Sequence, residues 1–223
     1  MGILFSKAKP VETDSEREER IDKSEHSQCT KVVTPDNLPM CIKTFNNVLL
    51  KWSGLTKNEV IFDSENNDWE KFVEGIDSVG QNTLFVNISQ NGYVFGCFCG
   101  QKITPDKTCI AQDARNFIFR LVNPKDPTDN PRRWVLCNNK NNQQDELIDW
   151  IKVYKNDEQI MYEVGVCGFR IAKKTTNKSY YDHIEDCHGP LNVDKEHSKF
   201  YFDDWTKSGE FFDNKRVIVL KFS

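Results

Sequence analysis

Hydrophobic and polar positions alternate most regularly in residues 83–99, TLFVNISQNGYVFGCFC. Leu84, Val86 and Ile88 interleave with Phe85, Asn87 and Ser89; after a break, Tyr93, Phe95, Cys97 and Cys99 interleave with Val94 and Phe98. Successive side chains of a strand point to opposite faces, so this period-two pattern of aromatic and β-branched residues predicts two strands. Asn91-Gly92 between them supplies the positive φ angles of a tight hairpin turn. Both faces of the hairpin are apolar, and each therefore needs a covering layer.

One cover is legible upstream. Phe45, Val48, Leu49 and Trp52 recur at i, i+3, i+4 and i+7, the stripe of an amphipathic helix, with Gly54 where a left-handed C-terminal residue belongs. That stripe is expected to pack on a sheet. Val60-Ile61-Phe62 reads as a short strand, and a second, shorter helix is expected through Val73 with Asp68 as its candidate cap. Further strands are expected at residues 116–122, 133–137, 147–154, 160–164, 165–171 and 216–222. The glycines of the fifth, Gly165 and Gly168, suggest a bulge or close backbone approach. Short strands separated by turns, with helices confined near the start, predict a mostly β, α+β fold: a two-sheet antiparallel β-sandwich flanked by a few short helices.

Composition narrows the classes. A chain of 223 residues suits one domain and a tail, here 37–223 and 1–36. No apolar run approaches the roughly 18 residues of a membrane span. Ile3-Leu4-Phe5 is too short for the apolar region of a secretory signal, so a reducing, cytoplasmic setting and free thiols are expected for the 8 cysteines. Residues 11–26 carry seven acids and three bases, a net charge of −4 that equals that of the whole chain. The remainder sums to zero, without the basic footprint of a nucleic-acid binder. Residues 10–36 are polar and poor in aromatics, as in a disordered tail. At the start, MGILFSK fits the N-myristoylation pattern, with Gly2 as the acceptor and Ser6 as the required hydroxyl. A single myristoyl chain gives weak, reversible membrane association, with a constant on the order of 10⁴ M⁻¹. The acidic run from Glu12 adds repulsion from anionic lipid.

Taken in order, several segments resemble the TLDc domain family. They are residues 83–88 with 93–98 (YVFGCF), 117–121 (FIFRL), 166–171 (VCGFRI) and 217–222 (VIVLKF), preceded by Ile61-Phe62-Asp63-Ser64 and Trp69. The resemblance spans about residues 45–223 and is that of a divergent member. Residues 100–107 read GQKITPDK where the family carries a tryptophan, and Ala114-Arg115-Asn116 replaces its glycine-glutamate pair. The resemblance implies a two-sheet sandwich, a role in protection against oxidative stress, and binding to subunits of the vacuolar-type proton pump. It implies neither a catalytic residue nor a cofactor.

Chemistry-bearing side chains are few. Cys97 and Cys99 share one strand face, where two thiols could form a redox couple or ligate a metal; as core side chains they would be buried and inert. His183, Cys187 and His188 cluster in HIEDCH without the second ligand pair of a structural zinc site. Cys187 with His183, or the Cys97/Cys99 pair, would carry a thiol-based antioxidant enzyme, the alternative to a non-enzymatic adaptor. Phe200, Tyr201, Phe202, Trp205, Phe211 and Phe212 are dense near the end and are expected mainly in the core.

Overall fold

The computed structural model describes residues 38–110, 115–135, 149–157, 159–165, 169–173, 179–181 and 211–223. Gly2, Cys187, His183, the HIEDCH cluster, Cys167 and the aromatics at 200–205 lie outside these residues, as does most of the polar stretch at 173–188.

The chain forms α1 (Met40–Lys43), α2 (Asn46–Ser53), β1 (Asn58–Asp63) and α3 (Trp69–Val79). The strands β2 (Thr83–Ser89), β3 (Val94–Cys99), β4 (Thr108–Ile110), β5 (Phe117–Val122) and β6 (Arg132–Val135) follow. The remaining strands are β7 (Asp149–Val153), β8 (Ile160–Val164), β9 (Phe169–Ala172), β10 (Ser179–Tyr181), β11 (Phe211–Phe212) and β12 (Asn214–Phe222). Two six-stranded sheets result, ordered β1-β12-β2-β3-β5-β6 and β11-β10-β9-β8-β7-β4, and every pairing within them is antiparallel. The protein is a β-sandwich with a few short helices.

Both faces of the β2–β3 hairpin are covered. Phe85, Phe95, Cys97 and Cys99 face the second sheet, in one core with Ile151, Val153, Tyr162, Val164, Phe169 and Ile171. Leu84, Val86, Val94 and Phe98 face the other way, in a second core with Ile42, Leu49 and Leu50 from α1 and α2. The last strand explains how one sheet serves both cores. Val217 and Val219 of β12 enter the first, while Ile218, Leu220 and Phe222 enter the second. Each fully buried aliphatic or aromatic side chain contributes about 1.5–3 kcal/mol, so these two layers supply most of the driving force.

Three details differ from the pattern-based expectation. The deepest face of α2 runs through Asn46, Leu49, Leu50 and Ser53, rotated from the Phe45–Val48–Leu49–Trp52 stripe. Asn46 Oδ1 accepts a 2.6 Å hydrogen bond from Asn58 Nδ2, while Asn46 Nδ2 and Asn58 Oδ1 are buried without a hydrogen-bond partner among the described residues. Trp52 instead lies half-buried at the rim, edge-on to Phe117 at 6.1 Å, and its carbonyl accepts a bond from Arg133. The hairpin turn is also wider than a two-residue one. Gly92 N–H donates to the Ser89 carbonyl and Ser89 N–H to the Tyr93 carbonyl, and Gly92 has φ +89° while Asn91 keeps a negative φ. This is a type I turn closed by a left-handed glycine. Gly54 does end α2 at φ +69°. The helix that follows Asp68, whose side chain makes no capping hydrogen bond, runs eleven residues and is the longest described, because Phe72, Ile76 and Val79 keep its apolar face going beyond Val73.

Candidate functional site: a thiol pair between the sheets

The described residue pair with the clearest latent chemistry sits where the chain crosses from the first sheet to the second. β3 ends on Cys99, and Gly100 N–H then donates to Asn116 Oδ1 at 2.9 Å. Asn116 is fully buried at the entry to β5, and its Nδ2 donates to Gln101 Oε1 at 3.1 Å. Buried amides must find partners, so these bonds fix the first step of the crossing. Thr104-Pro105-Asp106-Lys107 then turns back, with Lys107 N–H donating to the Thr104 carbonyl and Asp106 at φ +63°. Proline at the second place and a left-handed third residue make this a type II turn.

Asp106 ties the turn to the second sheet. Its N–H donates to the Val153 carbonyl, its Oδ1 accepts from Lys155 N–H at 2.7 Å, and its Oδ2 accepts from Asn156 Nδ2. Ile103 is buried beneath. The three-residue strand β4 then pairs with β7, placing Cys109 opposite Ile151 and beside the end of β3.

The outcome is a contact between sheets: Cys99 Sγ lies 3.7 Å from Cys109 Sγ. Gln101 borders the pair, its carbonyl 3.6 Å from Cys99 Sγ and its side-chain Oε1 3.9 Å from Cys109 Sγ. Cys99 is 0% exposed and Cys109 8% exposed. The Cys99 thiol is pushed well up by its hydrogen bond to Cys109 and by burial, whereas the bond from Cys99 pulls the Cys109 thiol down. Desolvation costs less nearer the surface, so the first proton leaves Cys109 and Cys99 S–H stabilises the thiolate.

Cys97 shares the inner face with Cys99, as alternation requires, yet its sulfur is not the one paired with Cys99. Burial alone raises its thiol well above the ordinary value. A CxC pair on one strand is thereby separated into a core side chain and a member of an inter-sheet couple. Nothing in the spacing pointed to Cys109, since three residues are too few for a period to show. Among the described residues no group of three or more His, Cys, Asp and Glu could hold a metal ion.

Two other buried polar contacts serve structure. Arg120, 2% exposed in the middle of β5, pairs with Asp129, which also meets Arg132 at 3.1 Å. Tyr162 Oη donates to Asn87 Oδ1 at 2.8 Å, joining the two sheets across their core. On the outward face of the second sheet Lys152, Glu163 and Arg170 stand side by side across β7, β8 and β9, with Arg170 bonded to Glu163 at 2.9 Å.

No protein-family model matches the chain, and no curated protein matches it. Among the described residues no helix is long and apolar enough to cross a membrane.

Proposed function

We propose that this chain is a non-enzymatic TLDc-like adaptor, tethered to a cytosolic membrane face through myristoylated Gly2, with a role in oxidative-stress protection, in binding subunits of the vacuolar-type proton pump, or in both. One observation carries the reading. The segments at 83–88, 93–98, 117–121 and 217–222 fall on β2, β3, β5 and β12, which are consecutive neighbours, β12-β2-β3-β5, in one sheet. These resembling segments lie side by side in one sheet, while the described part of the 166–171 segment falls on β9 in the other. Its conspicuous residues pack inward, which fits a scaffold whose binding surface is formed by outward-facing positions.

Affinity purification of full-length protein and Gly2→Ala from membrane and cytosolic fractions tests both halves. The reading expects proton-pump subunits with both proteins and membrane recovery that falls for Gly2→Ala. Equal membrane recovery removes the tether, and absence of pump subunits while a TLDc control captures them removes the partner.

The 3.7 Å Cys99–Cys109 contact favours a second reading, a thiol-based antioxidant enzyme. A peroxide-reduction rate that saturates with peroxide and far exceeds that of the thiol reductant alone, and that Cys109→Ser abolishes, would favour it over the adaptor.

A further inference from the structure

We propose that Cys99 and Cys109 are a reversible thiol–disulfide couple, oxidised by a peroxide through Cys109, that staples the two sheets together. The two sulfurs belong to different sheets, β3 in the first and β4 in the second, and lie 3.7 Å apart. A disulfide bond is about 2.0 Å long, so each sulfur has to move by less than about 1 Å. The nine residues between them are held by the Asn116–Gly100, Asn116–Gln101 and Asp106–Lys155 bonds, which keep the two ends facing each other.

The roles of the two sulfurs differ because their exposure differs. Cys109, at 8% exposed, is the less enclosed sulfur and the one a small oxidant can reach; Cys99, at 0%, meets Cys109 and the Gln101 carbonyl. The Cys109 thiolate attacks one oxygen of hydrogen peroxide, the O–O bond breaks, and the departing hydroxide leaves as water after taking a proton. Cys109 is then a sulfenic acid. Cys99 Sγ attacks Cys109 Sγ, the S–O bond breaks, and hydroxide departs with the Cys99 proton as a second water. Two thiols and one peroxide have become one disulfide and two waters. A dithiol reductant reverses the change. This couple acts stoichiometrically and depends on neither functional reading above.

Reduced full-length protein is treated in its folded state with one equivalent of hydrogen peroxide, blocked with N-ethylmaleimide, and digested with trypsin without reduction. Cleavage after Lys71, Lys102, Lys107 and Arg115 puts Cys99 and Cys109 on separate peptides, residues 72–102 and 108–115. The expected product is these two peptides joined and lighter by two hydrogens, restored to separate peptides by dithiothreitol. Cys97→Ser keeps the linked product, and Cys99→Ser or Cys99→Ala loses it. Dimedone then traps a sulfenic acid at Cys109 in the Cys99 variants, because the resolving thiol is gone.

Wild-type protein carries the decisive readout, so a variant that fails to fold leaves the test intact. The proposal is overturned if folded wild type gives no linked pair. It is equally overturned if the link forms only after denaturation, or if it survives in Cys99→Ser and so belongs to Cys97.

Discussion

Replacing Gly96 with alanine is expected to be among the most damaging single changes in the domain. A methyl at this position would lie 1.8 Å from the Phe85 carbonyl oxygen and 2.8 Å from Phe119 Cζ, where real contacts do not fall below 3.0 Å. The Phe85 oxygen belongs to the backbone of β2, the central hairpin partner, and cannot swing aside as a side chain would. Relief requires the strands to part by at least 1.2 Å, the difference between 3.0 and 1.8 Å. A backbone hydrogen bond stretched that far is lost. Two such bonds flank the Val86–Gly96 pair, and each buried group left unsatisfied costs about 1–3 kcal/mol. Crowding the Phe119 ring adds about 1–3 kcal/mol of overpacking. Two lost bonds leave four such groups, so the expected loss is about 5 kcal/mol or more, a large part of the roughly 5–15 kcal/mol that holds a domain folded. Urea unfolding followed by tryptophan fluorescence measures it. Gly54→Ala is the control: φ is +69° but nothing lies within 4 Å, so only left-handed strain of about 1–2 kcal/mol applies. A Gly96→Ala midpoint within about 1 kcal/mol of wild type would refute the close-approach reasoning.

The oxidised Cys99–Cys109 form closes a short loop, worth about 2.5–3 kcal/mol in chain entropy, so oxidation should raise the melting temperature by roughly 5–10 °C, and Cys109→Ser should abolish the rise. Asp129→Ala removes the carboxylate from a buried Arg120 and should cost about 3–5 kcal/mol in urea unfolding, with the double change Arg120→Met, Asp129→Leu recovering much of it. Tyr162→Phe strips the donor from Asn87 Oδ1 and should cost about 1–3 kcal/mol by the same assay. The Asp157 carboxyl is held below its ordinary value by the N–H groups of Gln159 and Ile160. Its stabilising contribution is fully present above the unfolded carboxyl value near about pH 4 and is lost as pH falls through the lower folded value. Asp157→Asn should therefore flatten the acid side of the stability–pH profile below about pH 4, and an unchanged profile would contradict the assignment.

How much could be read in advance varied with the kind of signal. Period-two alternation locates the 83–99 hairpin, because one face per residue is a local property of extended backbone, and the unbroken apolar run at 217–220 marks a strand buried on both faces. Ile160–Val164 is legible as a short, mainly apolar segment. The strands β4, β10 and β11 have two or three residues each and exist only because a neighbour pairs with them. The phase of α2 was misplaced for a related reason: apolar periodicity ranks Trp52 as core and Asn46 as surface. Asn58 sits in β1, across from the helix, and donates to the Asn46 Oδ1 that the helix buries. Among the candidate thiols, Cys97 and Cys99 were placed on the right face, but the sulfur that meets Cys99 came from a segment with no pattern of its own.

Alternation along the 83–99 hairpin is enough to demand two covering layers, since side-chain direction in a strand follows from the backbone and both faces are apolar. It also assigns each residue to one layer or the other. Which elements supply the layers, and which side chains meet across them, depends on contacts between residues distant in the chain. Tyr162 finds Asn87 seventy-five residues away, and Cys109 finds Cys99 because Asn116 and Asp106 hold the crossing between the sheets. Hydrophobicity is non-directional, so a residue pattern can say that a face is buried but not which atom it is buried against. Polar and sulfur contacts, with their short range and geometry, make that choice, and they exist only once the sheets are stacked.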